Sequence, residues 1–242
     1  MAPDVGASQA TESSPGGYVM DSQPGLYDNV LVFDFKSLYP SISRTFVIAP
    51  LGLALGNAES GSAARVEGFK GASFSRSEHL LPGLLAEWWQ ARDAARRDGD
   101  TALGQAIKIL MNSCYGVLGS PGCRFFDPRL ASSITLRGHQ IIRQSKAFIE
   151  QCGYRVIYGD TDSLFVWLQQ PVDEQAAAEI GRIGHDQTVG ERIVKGQIHR
   201  FDLIAGIVDD QTHHADFALL HRAGGKGFGK TGGSGRSDKE RR

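Results

Sequence analysis

The chain has 242 residues, and its 26 Lys and Arg nearly balance its 27 Asp and Glu, which gives a formal net charge of −1. An apolar fraction of 41% and a charged fraction of 22% are ordinary for a soluble globular protein. A globally basic nucleic-acid binder is thereby excluded, so a field that attracts DNA must be local or belong to other parts of a larger molecule. The length allows one large domain or two small ones.

Neither the cysteines nor the apolar runs indicate export or a membrane. Cys114, Cys123 and Cys152 lack the C-x-x-C spacing of a zinc site and indicate a reducing compartment. The N-terminus lacks the basic and apolar regions of a signal peptide. No apolar run approaches the length that is needed to cross a bilayer. We therefore expect a cytoplasmic protein.

The first third of the chain predicts a lead-in, a strand and a turn into a helix. Residues 1–23 are rich in Ser, Gly, Ala and Pro, which predicts a linker or an ordered lead-in loop rather than a core element. Asn29–Phe35 is an almost unbroken apolar run and predicts a strand that ends near Asp34. The next residues predict a tight turn into a helix, with Pro40 in its first turn. Gly52–Gly71 shows weak periodicity and predicts a surface loop.

An amphipathic helix is predicted from Pro82 onward. Its apolar positions recur at helical spacing: Leu84, Leu85, Trp88 and Trp89. Arg92 and Arg96 lie one turn apart and therefore share a face. Asp98-Gly99-Asp100 ends this helix and supplies a cap for a second one, Ala102–Leu118.

The second helix of this pair carries Lys108, Asn112 and Tyr115 on one row, at i, i+4 and i+7. Apolar residues turn away from that row: Ile107, Leu110, Cys114 and Val117. Two antiparallel helices that each carry a cationic row suit a polyphosphate ligand. The alternative is a solvated amphipathic pair whose charges face water, and the helices alone leave both interpretations open.

A long helix and a β-hairpin follow. Asp127-Pro128 begins the helix, which continues over Leu130–Gln151 and ends before Gly153. Arg155–Trp167 reads R-V-I-Y-G-D-T-D-S-L-F-V-W, in which two apolar runs flank a turn, and predicts the hairpin. A further helix is predicted over Glu174–Ile180.

The hairpin turn carries two acids, Asp160 and Asp162, whose i, i+2 spacing points both side chains the same way in an extended chain. Carboxylates held together repel each other unless a cation lies between them, and Mg²⁺ prefers such oxygens. The alternative is a plain turn whose Asp side chains bond the local backbone. An EF-hand is excluded because the third acid and the Gly at the sixth loop position are missing. Asp34 offers a third carboxylate, which is costly to bury in an apolar strand unless it is paired or binds a metal.

Three motifs occur in order along the chain: D-F-K-S-L-Y-P-S-I at 34–42, K-I-L-M-N-S-C-Y-G at 108–116 and Y-G-D-T-D-S at 158–163. Together they resemble motifs A, B and C of the family B DNA polymerases. Two further stretches, P-G-L-Y-D at 24–28 and C-R-F-F-D-P-R-L-A-S-S-I-T at 123–135, point to a bacterial branch of that family. The resemblance covers about residues 15–180.

The resemblance implies an α+β fold, in which an antiparallel palm sheet has flanking helices and an inserted antiparallel helical hairpin, the fingers. It implies a division into a lead-in (1–23), palm (24–75), fingers (76–120) and the second part of the palm (121–180). Residues 181–242 do not align and are expected to form an irregular, disordered tail. We expect no exonuclease before Asp34 and no thumb after the palm, as in the catalytic middle of a polymerase.

The implied activity is template-directed DNA synthesis, in which deoxyribonucleotides are added to a primer 3′-hydroxyl by two-metal phosphoryl transfer. In the family pattern, Asp34 and Asp162 are the main ligands of two Mg²⁺ ions. The backbone carbonyl of Phe35 is a further ligand, and Asp160 is a weaker or occasional one. Primer–template DNA and deoxynucleoside triphosphates are the implied partners, with a sliding clamp for the full-length enzyme, at the nucleoid in the cytoplasm and without a membrane.

The resemblance also implies a nucleotide site. The backbone N–H groups of Ser37 and Leu38 would meet triphosphate oxygens, and the ring of Tyr39 would lie under the sugar and exclude a 2′-hydroxyl. Four residues would hold the incoming phosphates: Arg92, Arg96, Lys108 and Asn112. The family usually has Lys in place of Arg96, and a forked guanidinium is not equivalent to an ammonium. Tyr115 and Gly116 would line the pocket of the nascent base pair.

The C-terminal segment contains a phosphate-loop pattern, G-G-K-G-F-G-K-T at 224–231. Such a loop joins a strand to a helix. Phe217–Leu220 suits a strand, but the glycine-rich residues after Thr231 cannot form a stable helix. His and Asp side chains between residues 209 and 221 offer metal ligands, although a solvated polar segment explains them better. Three functions therefore compete: a polymerase core, a fragment that binds nucleotide without extending primers, and a P-loop NTPase.

Overall fold

The computed structural model of the chain describes residues 14–56, 64–172, Ala176, Ile180 and Leu203–Val208. Six strands lie in this part of the chain: β1 (Val30–Phe35), β2 (Arg65–Glu67), β3 (Ser73–Ser75), β4 (Arg155–Asp160), β5 (Ser163–Trp167) and β6 (Leu203–Val208). The same part contains five helices: α1 (Leu38–Thr45), α2 (Pro50–Gly56), α3 (Leu81–Arg97), α4 (Thr101–Leu118) and α5 (Pro128–Gln151).

Four strands form one antiparallel sheet in the order β4-β5-β1-β6. β1 lies between β5 and β6, and its consecutive side chains Leu31, Val32 and Phe33 are all buried. Both faces of β1 are therefore covered, which explains its nearly continuous apolar sequence. The register places Asp34, near the end of β1, opposite Ser163 at the start of β5. β2 and β3 form a separate two-stranded antiparallel sheet.

The core lies between the large sheet and the helices α1 and α5. Ile134, Ile141 and Ile142 of α5 are fully buried, at the i, i+7, i+8 spacing of one helix face. They share a cluster with apolar side chains of β1 and β5, such as Leu31 and Leu164. The buried face of α5 thus fixes the strands whose ends form the site described below.

The predictions for the principal elements are confirmed. The predicted strand, hairpin and helices correspond to β1, β4–β5, α3–α4 and α5, in a mixed helix and antiparallel-sheet structure. Asp100 caps α4, since its Oδ1 accepts a 2.9 Å hydrogen bond from the N–H of Leu103. Asp127 caps α5 in the same way through the N–H of Arg129, and Gly153 beyond its end has a positive φ of 91°.

The prediction of a surface loop over residues 52–71 is wrong. α2 extends to Gly56, and β2 occupies Arg65–Glu67; residues 57–63 lie outside the described part. A Cβ at Gly56 would lie 2.5 Å from the carbonyl oxygen of Ser73 and 2.7 Å from the carbonyl carbon of Phe74. Glycine is needed there because a helix end packs directly on the backbone of β3, and not because the segment is a loop.

The prediction that residues 181–242 are irregular throughout is also wrong. β6 pairs with β1 over six positions, from Val30 opposite Val208 to Phe35 opposite Leu203. Its sequence, L-I-A-G-I-V, is apolar and β-branched, a strand pattern that its neighbours rich in His and Gly obscured. Of the predicted helix Glu174–Ile180, only Ala176 and Ile180 are described, and both are helical.

The segment before β1 contributes to the core, contrary to the prediction for residues 1–23. Met20 is buried in the main cluster, and its N–H donates to the carbonyl oxygen of Gly159 at 2.8 Å. The described part of this segment therefore runs beside β4 as an additional extended chain.

One stretch among the described residues, Leu38–Gly56, is long and apolar enough to cross a membrane by length and composition. This corrects the expectation that no run reaches that length. The stretch is divided into α1 and α2, and its side chains Leu38, Ile42 and Leu53 belong to the core cluster. Its hydropathy is accounted for by burial inside the protein.

Candidate active site

The C-terminal end of β1 and the β4–β5 turn meet at one edge of the large sheet. The hydroxyl of Ser163 donates to Asp34 Oδ1 at 2.9 Å. The N–H of Phe35 donates to the carbonyl oxygen of Asp162 at 2.8 Å. These two hydrogen bonds bring together Asp34 and Asp162, which are 128 positions apart in the sequence.

The backbone turns sharply between β1 and α1. Ser37 has φ 50° and ψ 57°, the left-handed region, directly before α1 begins at Leu38. Its side chain does not cap the helix; instead, Ser37 Oγ accepts a 3.0 Å hydrogen bond from Arg92 Nη1 of α3. The turn after Asp34 is therefore held from α3.

A cavity of about 340 Å³ lies at this junction. It is lined by Asp34, Phe35, Ser37, Leu38, Tyr39, Lys108, Asn112, Thr161 and Asp162. All three predicted motifs contribute to this lining, although they come from different parts of the fold. Except for Thr161, every lining residue was a candidate from the sequence.

The remaining candidates lie near the cavity but outside its lining. Arg92 is buried and bound to Ser37, and both burial and the neighbouring Arg96 lower its pKa. Arg96 is exposed on α3. The ring of Tyr115 packs on Tyr39 with 4.6 Å between centroids. Gly116 is exposed, and a Cβ there would have no atom within 4 Å.

The sequence predicted that Asp160 and Asp162 point the same way, and the turn does not hold them so. Asp160 is exposed, and its Oδ1 accepts a 2.9 Å hydrogen bond from Thr161 Oγ1. Asp162 is half-buried and lines the cavity. The i, i+2 argument fails because the chain is not extended here: Thr161 has φ 49°.

Burial raises the pKa values of the two cavity carboxyls, and at Asp162 the charge of Asp34 adds to this effect. The pKa of Asp162 is raised from 3.8 to about 6, first by burial and next by the charge of Asp34. Burial also raises the pKa of Asp34, while the Ser163 hydrogen bond and Lys108 act in the opposite direction. A hard divalent cation suits such a pair of carboxylates.

Two carboxylates of the described residues, and not three, line the cavity as possible metal ligands. Among the residues that the structure describes, no three His, Cys, Asp or Glu side chains form a metal-binding group. Asp34 and Asp162 face the cavity together, with the backbone of Phe35 beside them. The site thus offers hard oxygen ligands and room for further oxygens from a substrate.

Lys36 was not singled out from the sequence. It is only 8% exposed, and its Nζ lies 3.5 Å from Asp93 Oδ1 and 5.2 Å from the centre of the Trp89 ring. Trp89 and Asp93 lie one turn apart on α3. That spacing predicts that they share a face of the helix, but the sequence does not indicate that Lys36 contacts this face. With Arg92, Lys36 fastens the turn between β1 and α1 to α3.

Comparison with known proteins identifies the family. The sequence profile of DNA polymerase family B matches residues 2–194. The chain belongs to this family. The match extends past residue 180, where the resemblance had been expected to end.

Curated family B relatives come from all three domains of life. The chain is 60% identical over 182 residues to DNA polymerase II of Escherichia coli (strain K12), covering 75% of this chain and 23% of that protein. It is 33% identical over 168 residues to the DNA polymerase alpha catalytic subunit of Oryza sativa subsp. japonica, covering 67% and 11%. It is 33% identical over 167 residues to a DNA polymerase of Thermococcus gorgonarius, covering 64% and 21%. The chain spans about a quarter or less of the length of these relatives.

A solved structure has a similar fold. The family B DNA polymerase of the archaeon Pyrobaculum calidifontis matches with a TM-score of 0.60 at 23% identity, over 90% of this chain and 30% of that one. The predicted resemblance to family B is confirmed. The phosphate-loop pattern at 224–231 and the His and Asp residues of 209–221 lie outside the described residues.

Proposed function

We propose that the chain is the catalytic portion of an enzyme like DNA polymerase II, and that it adds deoxyribonucleotides to a primer 3′-hydroxyl on a DNA template. The observation that carries this proposal is the shared cavity. Asp34, Lys108 and Asp162 come from three motifs of a family of DNA polymerases and line one space. Carboxylates and a cation around one cavity suit a reaction of a metal-bound triphosphate.

Within this proposal, the large sheet with α1 and α5 is the palm, formed by residues 24–75 and 121–180. The α3–α4 pair is the fingers, residues 76–120. The contacts of Arg92 with Ser37 and of Lys36 with Asp93 support this division, because they cross from the palm turn to the first finger helix. β6 adds a strand to the palm sheet.

Asp34 and Asp162 would hold two Mg²⁺ ions, with the backbone carbonyl of Phe35 as a further ligand. When bound, these ions would lower the pKa of the primer hydroxyl and neutralise the triphosphate and the departing pyrophosphate. Asp160 is exposed and bound to Thr161, which suits a weaker or occasional ligand. The raised pKa of Asp162 supports this assignment, since a cation there would relieve its repulsion with Asp34.

The chain's own groups would orient the nucleotide. Ser37 and Leu38 lie at the start of α1, where free backbone N–H groups attract phosphate oxygens. Lys108 and Asn112 would hold the phosphates from the opposite wall. Tyr39 would support the sugar: its ring packs on Tyr115, and its pKa of about 12 keeps the hydroxyl protonated.

Arg92 and Arg96 lie outside the cavity lining, whereas Lys108 lies in it. Arg92 Nη1 is bonded to Ser37, so a phosphate contact would use other N–H groups of the guanidinium. Arg96 is exposed and lies beyond the lining, and it would contact a phosphate only if α3 moves toward the cavity. Tyr115 and Gly116 would face the nascent base pair beyond Tyr39.

The substrates in this proposal are primer–template DNA and deoxynucleoside triphosphates, and a sliding clamp is a partner of the whole enzyme. The three cysteines are free thiols, which suits the reducing cytoplasm, where the nucleoid lies. The formal charge of −1 places the attraction for DNA in local fields around the cavity.

The test is single-nucleotide addition to a primed template by this chain at high enzyme concentration, with Mg²⁺. Asp34→Asn and Asp162→Asn keep the side-chain size and should nearly abolish addition. Asp160→Asn is the matched comparison: it removes a charge two positions before Asp162, from an exposed side chain outside the cavity lining, and it should lose less activity than either cavity variant. Near-normal addition by either cavity variant contradicts the assignment.

A second function has one observation in its favour: the chain spans 23% of the length of its Escherichia coli relative. Such a portion could bind nucleotide without extending primers. Equilibrium binding of a deoxynucleoside triphosphate with Ca²⁺, weakened by Lys108→Ala and not followed by extension in Mg²⁺, would favour this alternative.

A further inference from the structure

The turn that carries Asp162 contains a strained residue. Thr161 is β-branched and has φ 49°, a backbone conformation that is uncommon for such residues. A strained residue persists only when its surroundings hold it. The N–H of Asp162, directly after it, donates to the carbonyl oxygen of Asp160 at 2.6 Å, so the two acids are fixed relative to each other by this turn.

The support comes from the segment before β1. Residues 14–23, which we name the N-terminal strap, run antiparallel beside β4, with an isolated bridge between Val19 and Asp160. The carbonyl oxygen of Tyr18 accepts a 2.7 Å hydrogen bond from the N–H of Thr161. The N–H of Gln23 extends the same pairing to the carbonyl oxygen of Ile157 at 3.1 Å. The strap thus accepts the hydrogen bond of the Thr161 N–H, which does not take part in the pairing of β4 with β5.

Gly17 lies directly against the side chain of Thr161. A Cβ at Gly17 would overlap Thr161 Oγ1 and would lie 3.1 Å from both Thr161 Cβ and Cγ2. Rotation of the threonine side chain would relieve the overlap only by breaking the hydrogen bond of Oγ1 to Asp160 Oδ1, and the Cβ–Cβ contact would remain tight at 3.1 Å. At Gly16, one position earlier, a Cβ would meet no atom within 4 Å.

The strap is anchored to the core helix α5. The Tyr18 ring lies 4.7 Å from the guanidinium of Arg143 and 5.4 Å from the His139 ring. His139 Nε2 forms a 2.9 Å hydrogen bond with the carbonyl oxygen of Gly16. Because the strap contacts α5 on one side and Thr161 on the other, it holds the turn in place relative to α5.

We propose that the N-terminal strap is a positioning element for the catalytic turn, in which Gly17 and Tyr18 hold Thr161 in its left-handed conformation and so aim Asp162 at the cavity. The inference rests on the proposed function, because it assumes that Asp162 binds a divalent cation. Gly17 and Tyr18 do not line the cavity and act only through Thr161. Residues that orient a metal ligand from outside typically contribute about 10–100-fold in affinity.

The experiment compares Gly17→Ala with Gly16→Ala in the whole chain. The two variants add the same methyl group to neighbouring glycines, and only the first should disturb the turn. We expect Gly17→Ala to accelerate hydrogen exchange of the Thr161 amide at least about 10-fold and to weaken Mn²⁺ binding, followed by electron paramagnetic resonance, about 10-fold or more. Gly16→Ala should match the wild type in both measurements.

A double-mutant cycle tests whether the effect passes through Thr161. Thr161→Gly removes the overlapping side chain and allows the positive φ, so adding Gly17→Ala to it should cause no further loss of Mn²⁺ affinity. An equal loss in both backgrounds would overturn the proposal. Equal exchange rates for the Thr161 amide in the Gly16 and Gly17 variants would also overturn it.

Failure of the proposed function gives a different result. If Asp162→Asn binds Mn²⁺ as tightly as the wild type, then no cation depends on Asp162 and the metal assignment is wrong. In that case the hydrogen-exchange rate of the Thr161 amide in the two glycine variants still shows whether the strap holds the turn. Unchanged thermal midpoints in the variants ensure that the comparison concerns the turn and not global unfolding.

Discussion

The charged form of Asp162 is less stable inside the folded chain than in the unfolded chain, because the carboxyl is partly buried and lies near the charge of Asp34. Its folded pKa, about 6, lies above the ordinary value of 3.8. The folded state therefore binds this proton more tightly, so the stabilising contribution is present below about pH 4 and is lost as the pH rises through 6. The charged carboxyl therefore costs stability above about pH 6.

We predict that Asp162→Asn stabilises the chain at pH 8 without divalent cations. A shift of about two pKa units corresponds to about 3 kcal/mol, which partial exposure reduces to about 1–2 kcal/mol. Urea unfolding in a chelator at pH 8 and pH 5 measures this, and the advantage of the variant should shrink at pH 5. Mg²⁺ should stabilise the wild type only. Lower stability of the variant at pH 8 would contradict the repulsion that we describe.

Tyr39 is an aromatic residue of the cavity lining. Its ring lies at the cavity and packs on Tyr115, so trimming it to Ala or Val opens space beside the place proposed for the sugar. We expect the ratio of kcat/KM for deoxyribonucleotides over ribonucleotides to fall at least about 10-fold. Tyr115→Phe is a control, because it keeps the packing. Unchanged sugar discrimination after trimming would show that the gate lies elsewhere.

Residue chemistry that is local in sequence could be predicted, and chemistry that depends on the fold could not. Asp34 was a candidate because a carboxylate at the end of an apolar strand requires a partner, and it lines the cavity. Thr161 and Gly17 were missed because their importance lies in one contact between segments 144 positions apart. The left-handed turn at Thr161 leaves Asp160 exposed and outside the cavity lining, and no sequence rule predicts a left-handed threonine.

The α3–α4 pair carries two basic residues in different surroundings. Lys108 is exposed at the cavity, whereas Arg92 is buried against Ser37. Lys108→Ala should weaken deoxynucleoside triphosphate binding about 10-fold, the cost of a lost charge-assisted hydrogen bond of about 1.5 kcal/mol, and should leave the thermal midpoint unchanged. Arg92→Ala should lower the thermal midpoint as well, because it empties a buried space and leaves Ser37 without its donor.

Nucleotide binding by calorimetry and thermal unfolding separate the two effects. Arg96→Ala is the control for loss of a cation on α3 without loss of a buried contact. If Lys108→Ala weakened primer–template binding while triphosphate binding stayed normal, Lys108 would follow the DNA backbone instead.

β6 is the outermost strand of the large sheet on the β1 side. It covers the edge of β1 that faces away from β5, including the position of Asp34 opposite Ile204. A chain that ends at residue 200 should expose that edge, self-associate and melt at least about 5 °C lower than the full chain. A chain that ends at residue 210 keeps β6 and should behave like the full chain. Equal melting and equal monomer content in both, by sedimentation, would show that β6 does not stabilise the sheet.

Elements with a strong period and clear caps could be predicted, and elements built by packing could not. α4 and α5 have Asp caps and regular apolar spacing, so their bounds were nearly right. α2 and β6 contain glycines that sequence rules assign to loops. Gly56 is small because a strand backbone lies against it, a requirement that only the folded chain defines. In both cases the tertiary contact determines the element.

At the scale of the whole molecule, exposed apolar side chains concentrate on the α3–α4 pair. Five of them are more than two-fifths exposed: Leu84 44%, Leu103 48%, Ile109 60%, Leu110 46% and Val117 54%. Two of these, Leu110 and Val117, had been expected only to turn away from the polar row of α4. Surfaces of this kind promote association in a chain that is studied alone. The relatives that the chain matches are about three or more times its length.

The last prediction is that the 242-residue chain alone is a weak and nonprocessive polymerase. Phosphate contacts supply most of the affinity for duplex DNA, in proportion to the cations that meet the backbone. The net charge of −1 gives the chain as a whole no electrostatic attraction for DNA, and Lys108, which lines the cavity, would be occupied by the nucleotide. We expect binding that is weak at 50 mM salt and has a small salt dependence, together with additions of one or a few nucleotides. The assay uses primed template, Mg²⁺ and deoxynucleotides, with Asp162→Asn as the control for contaminating activity. Long products from single binding events that disappear in the control would mean that these residues grip the duplex themselves, and the prediction would then be wrong.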